Sequence, residues 1–70
     1  MNRVEVTGSR HIKSVGHDPS SQTLEVEFQN GAVYSGRVPA EHHRGMIDSD
    51  SIGQYYHQNI KNAYSMKRVN

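Results

Sequence analysis

The tyrosines are the residues of this chain whose chemistry and spacing are most informative. There are four of them, with one phenylalanine and no tryptophan. Tyr55, Tyr56 and Tyr64 recur at helical spacing on an apolar stripe, so packing in a core, with hydroxyls at its edge, is their expected role. An exposed ring could instead stack on a nucleic-acid base. Tyr34, on the apolar face of a predicted strand, is the candidate for stacking, because Gly36 beside it would leave one ring face uncovered.

Basic side chains are the second group with possible chemistry. They would form one patch if the first strand lay beside the hairpin and the last helix ended nearby; otherwise they are scattered and solvated. Glu25 and Glu27 share the outer sheet face with Arg37, which favours the helix end over the sheet as a phosphate-binding surface. The basic residues considered are Arg10, Lys13, Arg37, Lys61, Lys67 and Arg68. The candidate nucleic-acid-binding residues are Tyr34, Arg37, Lys61, Lys67 and Arg68.

Metal ligation is not expected from the histidines or the acidic residues. His42 and His43 are adjacent, so on a helix they point about 100° apart and cannot hold one ion alone. No H-x₃-H spacing lies within one element, and we expect solvated surface histidines. Residues 48–53 begin like an EF-hand loop, but Ile52 occupies a ligand position and Asn59 replaces the bidentate glutamate. We interpret this run as a helix N-terminus.

Catalysis is not expected either. The chain has no G-x-S-x-G nucleophile elbow and no Gly-rich phosphate loop of the G-x-x-x-x-G-K-[ST] type. A chain of 70 residues also has little room for the pocket of about 300–1,000 Å³ typical of small-ligand sites. The sequence therefore predicts no enzymatic activity, no cofactor and no small-molecule substrate.

Composition points to one small domain with a thin apolar core. The net charge is +1, from eight basic and seven acidic residues, and only 33% of the residues are hydrophobic. Such a chain either uses every large apolar side chain or gains stability by pairing with a copy of itself or a partner. Cysteine is absent, which favours a reducing compartment. With no signal-peptide pattern and no apolar run long enough to span a membrane, we expect a cytoplasmic protein without membrane partners.

A β-hairpin is the clearest element. Residues 23–29 alternate strictly between apolar and polar side chains, and Asn30-Gly31 marks the turn. A two-residue loop would place Phe28 opposite Val33, whereas a three-residue loop with Gly31 in the left-handed conformation places it opposite Ala32. The apolar pattern favours the three-residue loop, since it turns the apolar side chains of both arms to one face.

The remaining elements complete an α+β fold. Ile12 and Val15 are three residues apart, which predicts a bulged edge strand. Residues 39–44 predict a short helical turn that Gly45 ends. An apolar stripe over 52–64, preceded by a capping box at Ser51, predicts an amphipathic C-terminal helix. We expect a three-stranded antiparallel β-meander followed by a short helical turn and an amphipathic C-terminal helix packed on one sheet face. The predicted domain covers residues 9–66, with 1–8 as a frayed segment or edge strand and 67–70 as a tail.

These motifs together resemble the KTSC family, a domain of about 60 residues named for a C-terminal extension of some lysyl-tRNA synthetases and also found alone in bacterial and phage proteins. The resemblance covers roughly residues 9–64. It departs from the family where the second tyrosine of a Y-x-Y pair is Gly36, and where a tyrosine before Asp18 is His17. The matching positions are Ser9, Ile12, Val15-Gly16, Asp18, 24–28, Asn30-Gly31, Tyr34, Val38-Pro39, Ser51-x-Gly53-x-Tyr55-Tyr56, Ile60 and Tyr64.

The resemblance implies a binding module, and an RNA-binding role has been suggested for the family. The first hypothesis is therefore a non-catalytic module for RNA or another nucleic acid. The alternative is a protein–protein interaction or self-associating module, whose thin core is completed by an edge strand or the helix stripe. A domain of phage origin that acts on a host factor is a form of this alternative.

Overall fold

In the part of the chain that the structure describes, the sheet has five antiparallel strands rather than the predicted three. The computed structural model describes residues 3–70. The strands lie in chain order across the sheet. They are β1 (Arg3–Glu5), β2 (Ile12–Asp18), β3 (Thr23–Phe28), β4 (Val33–Arg37) and β5 (Lys67–Arg68). The two additional strands are the edges: the N-terminal segment pairs with β2, and Lys67–Arg68, predicted to belong to a tail, pair with β4.

The β3–β4 hairpin has the register of the three-residue loop. Phe28 N donates to Ala32 O at 2.8 Å and Gly31 N donates to Phe28 O at 3.0 Å. Gly31 has a φ of 93°, a left-handed conformation that glycine adopts without steric cost. Val26 consequently lies opposite Tyr34, so the predicted register is confirmed.

Strand β2 contains the predicted bulge but is not an edge. Ile12 lies opposite Phe28 and Ser14 opposite Glu27, so the register shifts between Ile12 and Ser14. Because of this shift, both Ile12 and Val15 are fully buried. Strand β1 covers the other side of β2, so the prediction of an edge strand is wrong.

Two helices of similar length cover one face of the sheet: α1 (Ala40–Asp48) and α2 (Ile52–Asn59). Gly45 lies inside α1 and does not end it, because the following turn is anchored by the fully buried Met46. The Ser51 hydroxyl caps α2 by accepting a hydrogen bond from Gln54 N at 3.3 Å. Helix α2 ends earlier than predicted, since Ile60 N and Lys61 N both donate to Tyr56 O and the chain turns there.

The core lies between the inner sheet face and the two helices. Its buried members are Ile12, Val15, Leu24, Val26, Val38, Met46, Ile52, Tyr56 and Ile60. The helices are only 9 and 8 residues long, so they cover the middle of the sheet and leave a groove beside each edge strand. Within residues 3–70, neither helix is long and apolar enough to cross a membrane.

Candidate nucleic-acid interface

One row of side chains runs across the inner sheet face from edge to edge. The paired residues of this row are Val4, Val15, Val26, Tyr34 and Arg68. Directly opposed residues of antiparallel strands project to the same face. The row is therefore aliphatic from β1 to β3, aromatic at β4 and cationic at β5. This change of chemistry places a ring and a guanidinium side by side at one edge of the sheet.

Tyr34 is held in an aromatic cluster. Its ring meets the Phe28 ring edge-on, with centroids 5.6 Å apart, and Phe28 meets Tyr56 in the same manner at 5.5 Å. Tyr56 is buried. Its desolvation, and secondarily the neighbouring Tyr34, raise the pKa of the Tyr56 hydroxyl. Tyr34 itself is half-buried, so its ring is fixed on the sheet yet still reaches the surface.

The predicted reason for an uncovered Tyr34 ring is wrong. A Cβ at Gly36 would lie only 2.7 Å from Ser65 O and would also contact Met66. The space beside Gly36 is therefore filled by the chain segment that leads into β5. Gly36 allows this segment to approach β4 closely, and that approach brings Arg68 next to Tyr34.

Tyr34 lines a groove whose walls are strands β4 and β5, the start of β2, and helix α2 with the turn that follows it. The groove has a volume of about 680 Å³, a space the sequence does not predict for so short a chain. We call it the basic groove and define it by Arg10, Phe28, Tyr34, Lys61 and Arg68. His11 and His57 also line it, and its described lining contains no aspartate or glutamate.

The backbone around each groove cation is fixed by local hydrogen bonds. The Ser9 hydroxyl accepts from His11 N at 3.2 Å and Ile12 N at 3.0 Å, which shapes the loop that holds Arg10. Lys61 N donates to Tyr56 O at 2.9 Å, which closes the turn after α2. These bonds place the two basic side chains on either side of the groove without using their charged groups.

Arg68 is positioned by the side chain of Asn70. The Asn70 side-chain oxygen accepts a hydrogen bond from Val33 N at 2.9 Å, and the side-chain nitrogen donates one to Gly31 O at 2.7 Å. These two bonds take the place of the backbone bonds that a longer β5 would form with β4. Arg68 Nε donates to the same Asn70 oxygen at 3.4 Å. Within residues 3–70 the one ion pair joins Arg3 and Glu25. The groove cations therefore have no carboxylate partner in that range.

The structure divides the five predicted site residues into two groups. Tyr34, Lys61 and Arg68 line the basic groove. Arg37 and Lys67 lie opposite Thr23 and Ser35, on the outer sheet face that also carries Glu25 and Glu27. Two groove residues, Arg10 and Phe28, are absent from the predicted set. Arg10 could not be assigned from local pattern, because its position depends on the β1–β2 loop, which passes α2 beside Gly53.

Three histidines are partly buried, contrary to the predicted solvated surface histidines. The His17 and His43 rings are stacked with centroids 5.7 Å apart. His17 Nε2 lies 2.7 Å from Val38 O, and His42 Nδ1 lies 3.0 Å from the Tyr55 hydroxyl. His43 Nε2 is buried and has no hydrogen-bond partner among residues 3–70. Desolvation, and secondarily the neighbouring His17, lower the pKa of His43.

The described residues contain no group of three or more histidine, aspartate or glutamate side chains that could hold a metal ion. The stacked histidines are only two, and one of them is paired with a backbone carbonyl. Residues 48–53 form the end of α1 and the start of α2 rather than a calcium loop.

Comparison with known families assigns the fold to a recognised class of small domain. The KTSC domain model matches residues 8–64. The chain belongs to the KTSC family. A crystal structure of a KTSC domain protein from Yersinia pestis superposes with a TM-score of 0.89 at 28% identity, covering 99% of this chain and 97% of that one.

Relatives identified by sequence are of two kinds. An uncharacterized protein of Stutzerimonas stutzeri (strain A1501) is 40% identical over 62 residues, which cover 87% of this chain and 86% of that protein. A lysine–tRNA ligase of Nostoc sp. (strain PCC 7120) is 32% identical over 59 residues. A second lysine–tRNA ligase, of Trichormus variabilis, gives the same identity. In each ligase the match covers 83% of this chain and only 10% of the ligase.

Proposed function

We propose that this protein is a non-catalytic module that binds single-stranded nucleic acid, preferentially RNA, in the basic groove. The observation that carries the proposal is the segregation of charge. The chain as a whole has eight basic and seven acidic residues, yet the described groove lining contains three fixed cations and no carboxylate. A phosphate backbone is attracted to such a groove without repulsion from nearby acids.

The groove offers both contacts that single-strand binding needs. Arg10, Lys61 and Arg68 are exposed and can contact successive phosphates, while Tyr34 presents an anchored ring to a base. Base–aromatic stacking contributes about 1–3 kcal/mol per base and requires a base that is not already stacked in a duplex. An aromatic ring among cations therefore favours a single strand over a double helix.

The similarity to the two lysine–tRNA ligases supports RNA as the nucleic acid. The matched segment is a small part of each ligase, and an enzyme of that name acts on a tRNA. An appended domain that holds RNA would serve such an enzyme without taking part in its chemistry. A free-standing member of the family would use the same groove on another single-stranded RNA.

The test is an NMR titration of the ¹⁵N-labelled protein with a short single-stranded RNA of mixed sequence, at about 50 mM and about 200 mM salt. We expect amide shifts around Arg10, Tyr34, Lys61 and Arg68 that weaken at the higher salt. Arg68→Ala should weaken binding and lower the slope of log affinity against log salt by about one. Arg37→Ala is the matched control, because Arg37 is an exposed arginine on the outer sheet face.

Two results would overturn the proposal. One is the absence of shifts at either salt with RNA near 1 mM. The other is an equal loss of affinity in Arg68→Ala and Arg37→Ala, which would indicate general charge attraction rather than a groove. Circular dichroism of both variants verifies that they remain folded.

A further inference from the structure

Within residues 3–70, the outer edge of β1 carries unpaired backbone groups at alternate residues. Val4 lies opposite Val15 in the β1–β2 register, and Val6 N donates to Lys13 O at 2.8 Å in continuation of that register. Backbone groups of an antiparallel strand point alternately to its two neighbours. The backbone groups of Val4 and Val6 therefore form hydrogen bonds with β2. The N–H and C=O groups of Arg3 and Glu5 lie in the plane of the sheet and point outward from its edge.

We propose that two copies of the chain associate through this edge, with β1 pairing antiparallel to β1 of the second copy about a two-fold axis at Val4. Each Val4 then lies opposite the other Val4 in a non-hydrogen-bonded pair. Arg3 and Glu5 of one copy exchange backbone hydrogen bonds with Glu5 and Arg3 of the other. The two sheets join into one continuous sheet of ten strands.

The side-chain charges select this register. Within β1 the outward backbone groups belong to Arg3 and Glu5, so the neighbouring symmetric registers are centred on one of these two residues and place like charges opposite each other. Centring on Val4 instead places Arg3 opposite Glu5 twice, and opposite charges in cross-strand pairs are stabilising. Arg3 already contacts Glu25 at 3.2 Å across Gly16. A guanidinium has five donors and can contact a second carboxylate at the same time.

The apolar surface beside β1 supports the same partner. Val4 is 54% exposed and Ile47 is 47% exposed, and both line a groove of about 680 Å³ between β1 and the α1–α2 junction. Val4 belongs to the inner row, so a second copy paired through β1 would extend the sheet beneath this groove and cover both side chains. A solvated monomer leaves them exposed.

The opposite edge of the sheet does not fit a second copy. Strand β5 consists of Lys67 and Arg68, and two such strands would bring four positive charges together. Basic residues on an edge strand are a common protection against edge-to-edge pairing. The two edges therefore differ: β1 is complementary to itself and β5 is not.

Sedimentation equilibrium from about 10 µM to about 1 mM is the first test, because a small interface gives dissociation constants toward the millimolar end. The apparent mass should rise from 7.9 kDa toward twice that value. Glu5→Arg should raise the dissociation constant about tenfold or more, since two favourable cross-strand pairs become repulsive. Glu41→Arg makes the same charge change at an exposed residue of α1 and should leave the association unchanged.

A mixing experiment makes the test specific. Arg3→Glu and Glu5→Arg should each fail to self-associate. An equimolar mixture of the two should associate, because every charged cross-strand pair then joins a glutamate of one copy to an arginine of the other. Glu41→Arg should not recruit the Arg3→Glu variant in the same way. A wild-type mass that stays at 7.9 kDa up to about 1 mM, or association that Glu5→Arg leaves intact, would overturn the proposal.

Discussion

Replacing Gly45 by alanine should destabilise the protein, although alanine is the better helix former. Gly45 lies in the interior of α1, where the exchange normally gains about 1 kcal/mol. The opposing effect is steric. A Cβ at this position would contact the Tyr55 hydroxyl and would lie 2.7 Å from Tyr55 Cζ and 3.0 Å from Cε2.

The size of the destabilisation follows from the packing and the hydrogen bond that the Tyr55 ring would lose. To restore ordinary contact distances of about 3.5–4.0 Å the ring has to move by about 1 Å. That movement disturbs packing between the helices, at about 1–3 kcal/mol. It also breaks the 3.0 Å hydrogen bond between His42 Nδ1 and the Tyr55 hydroxyl, at about 1 kcal/mol. After subtraction of the helix-propensity gain, Gly45→Ala should lower the free energy of unfolding by about 1–3 kcal/mol.

Gly53→Ala is the matched control, since Gly53 also lies in a helix but has room beside it. The nearest atom to a Cβ there is His11 Cδ2 at 3.8 Å, an ordinary van der Waals contact. This variant should gain up to about 1 kcal/mol. Urea unfolding followed by circular dichroism measures both, and 1 kcal/mol corresponds to about 4–8 °C in Tm. If Gly45→Ala proved as stable as the wild type, or the two variants shifted together, the steric assignment of Gly45 would be refuted.

Two further predictions concern the stacked histidines and the β5 segment. The pKa of His43 is lowered below 6.5 in the fold, so the unfolded chain binds a proton at this ring more readily than the folded chain does, and stability should fall as the pH drops below about 6.5. His43→Gln should flatten this dependence in urea unfolding at pH 7.5 and 5.5; parallel profiles would contradict it. Gly36→Ala should displace the segment 65–66 and open the Val69 N to Val33 O bond. We expect faster hydrogen exchange of the Val69 amide and unchanged exchange at Val26. Unchanged exchange at both amides would contradict the close contact between Gly36 and residues 65–66.

The parts of the fold that could be predicted are those set by local periodicity. The hairpin register follows from two alternating runs, because only the three-residue loop turns the apolar side chains of both arms to one face. The bulge in β2 follows from the spacing of Ile12 and Val15. In each case residues near one another in the chain determine the geometry, so the sequence pattern is sufficient.

The parts that could not be predicted depend on distant contacts. Strands β1 and β5 have 3 and 2 residues, too few for a periodic signal, and they form because β2 and β4 offer free edges. Helix α1 continues through Gly45 because Met46 is buried, and α2 stops at Asn59 because Ile60 turns into the core. In each case tertiary packing overrides local propensity.

The candidate site is predictable only in part for the same reason. Tyr34, Lys61 and Arg68 are residue types that can bind nucleic acid, and the fold brings these three together. Arg37 and Lys67 satisfy the same criterion, but strand alternation directs them to the other face of the sheet. The hairpin register already places Arg37 on the outer face, whereas the choice between Lys67 and Arg68 needs the pairing of β5 with β4, which no local pattern in residues 65–70 indicates.

The strand order has a consequence for how a long RNA would be held. Because β1 and β5 are opposite edges, two copies joined through β1 would have their β5 strands, which carry the Arg68 side of each basic groove, at the far ends of a ten-strand sheet, about 40 Å apart at about 4.8 Å per strand. A short oligonucleotide could occupy only one groove at a time. A strand long enough to reach both would bind the second groove at a high effective concentration, so avidity would rise steeply with RNA length once that distance is spanned.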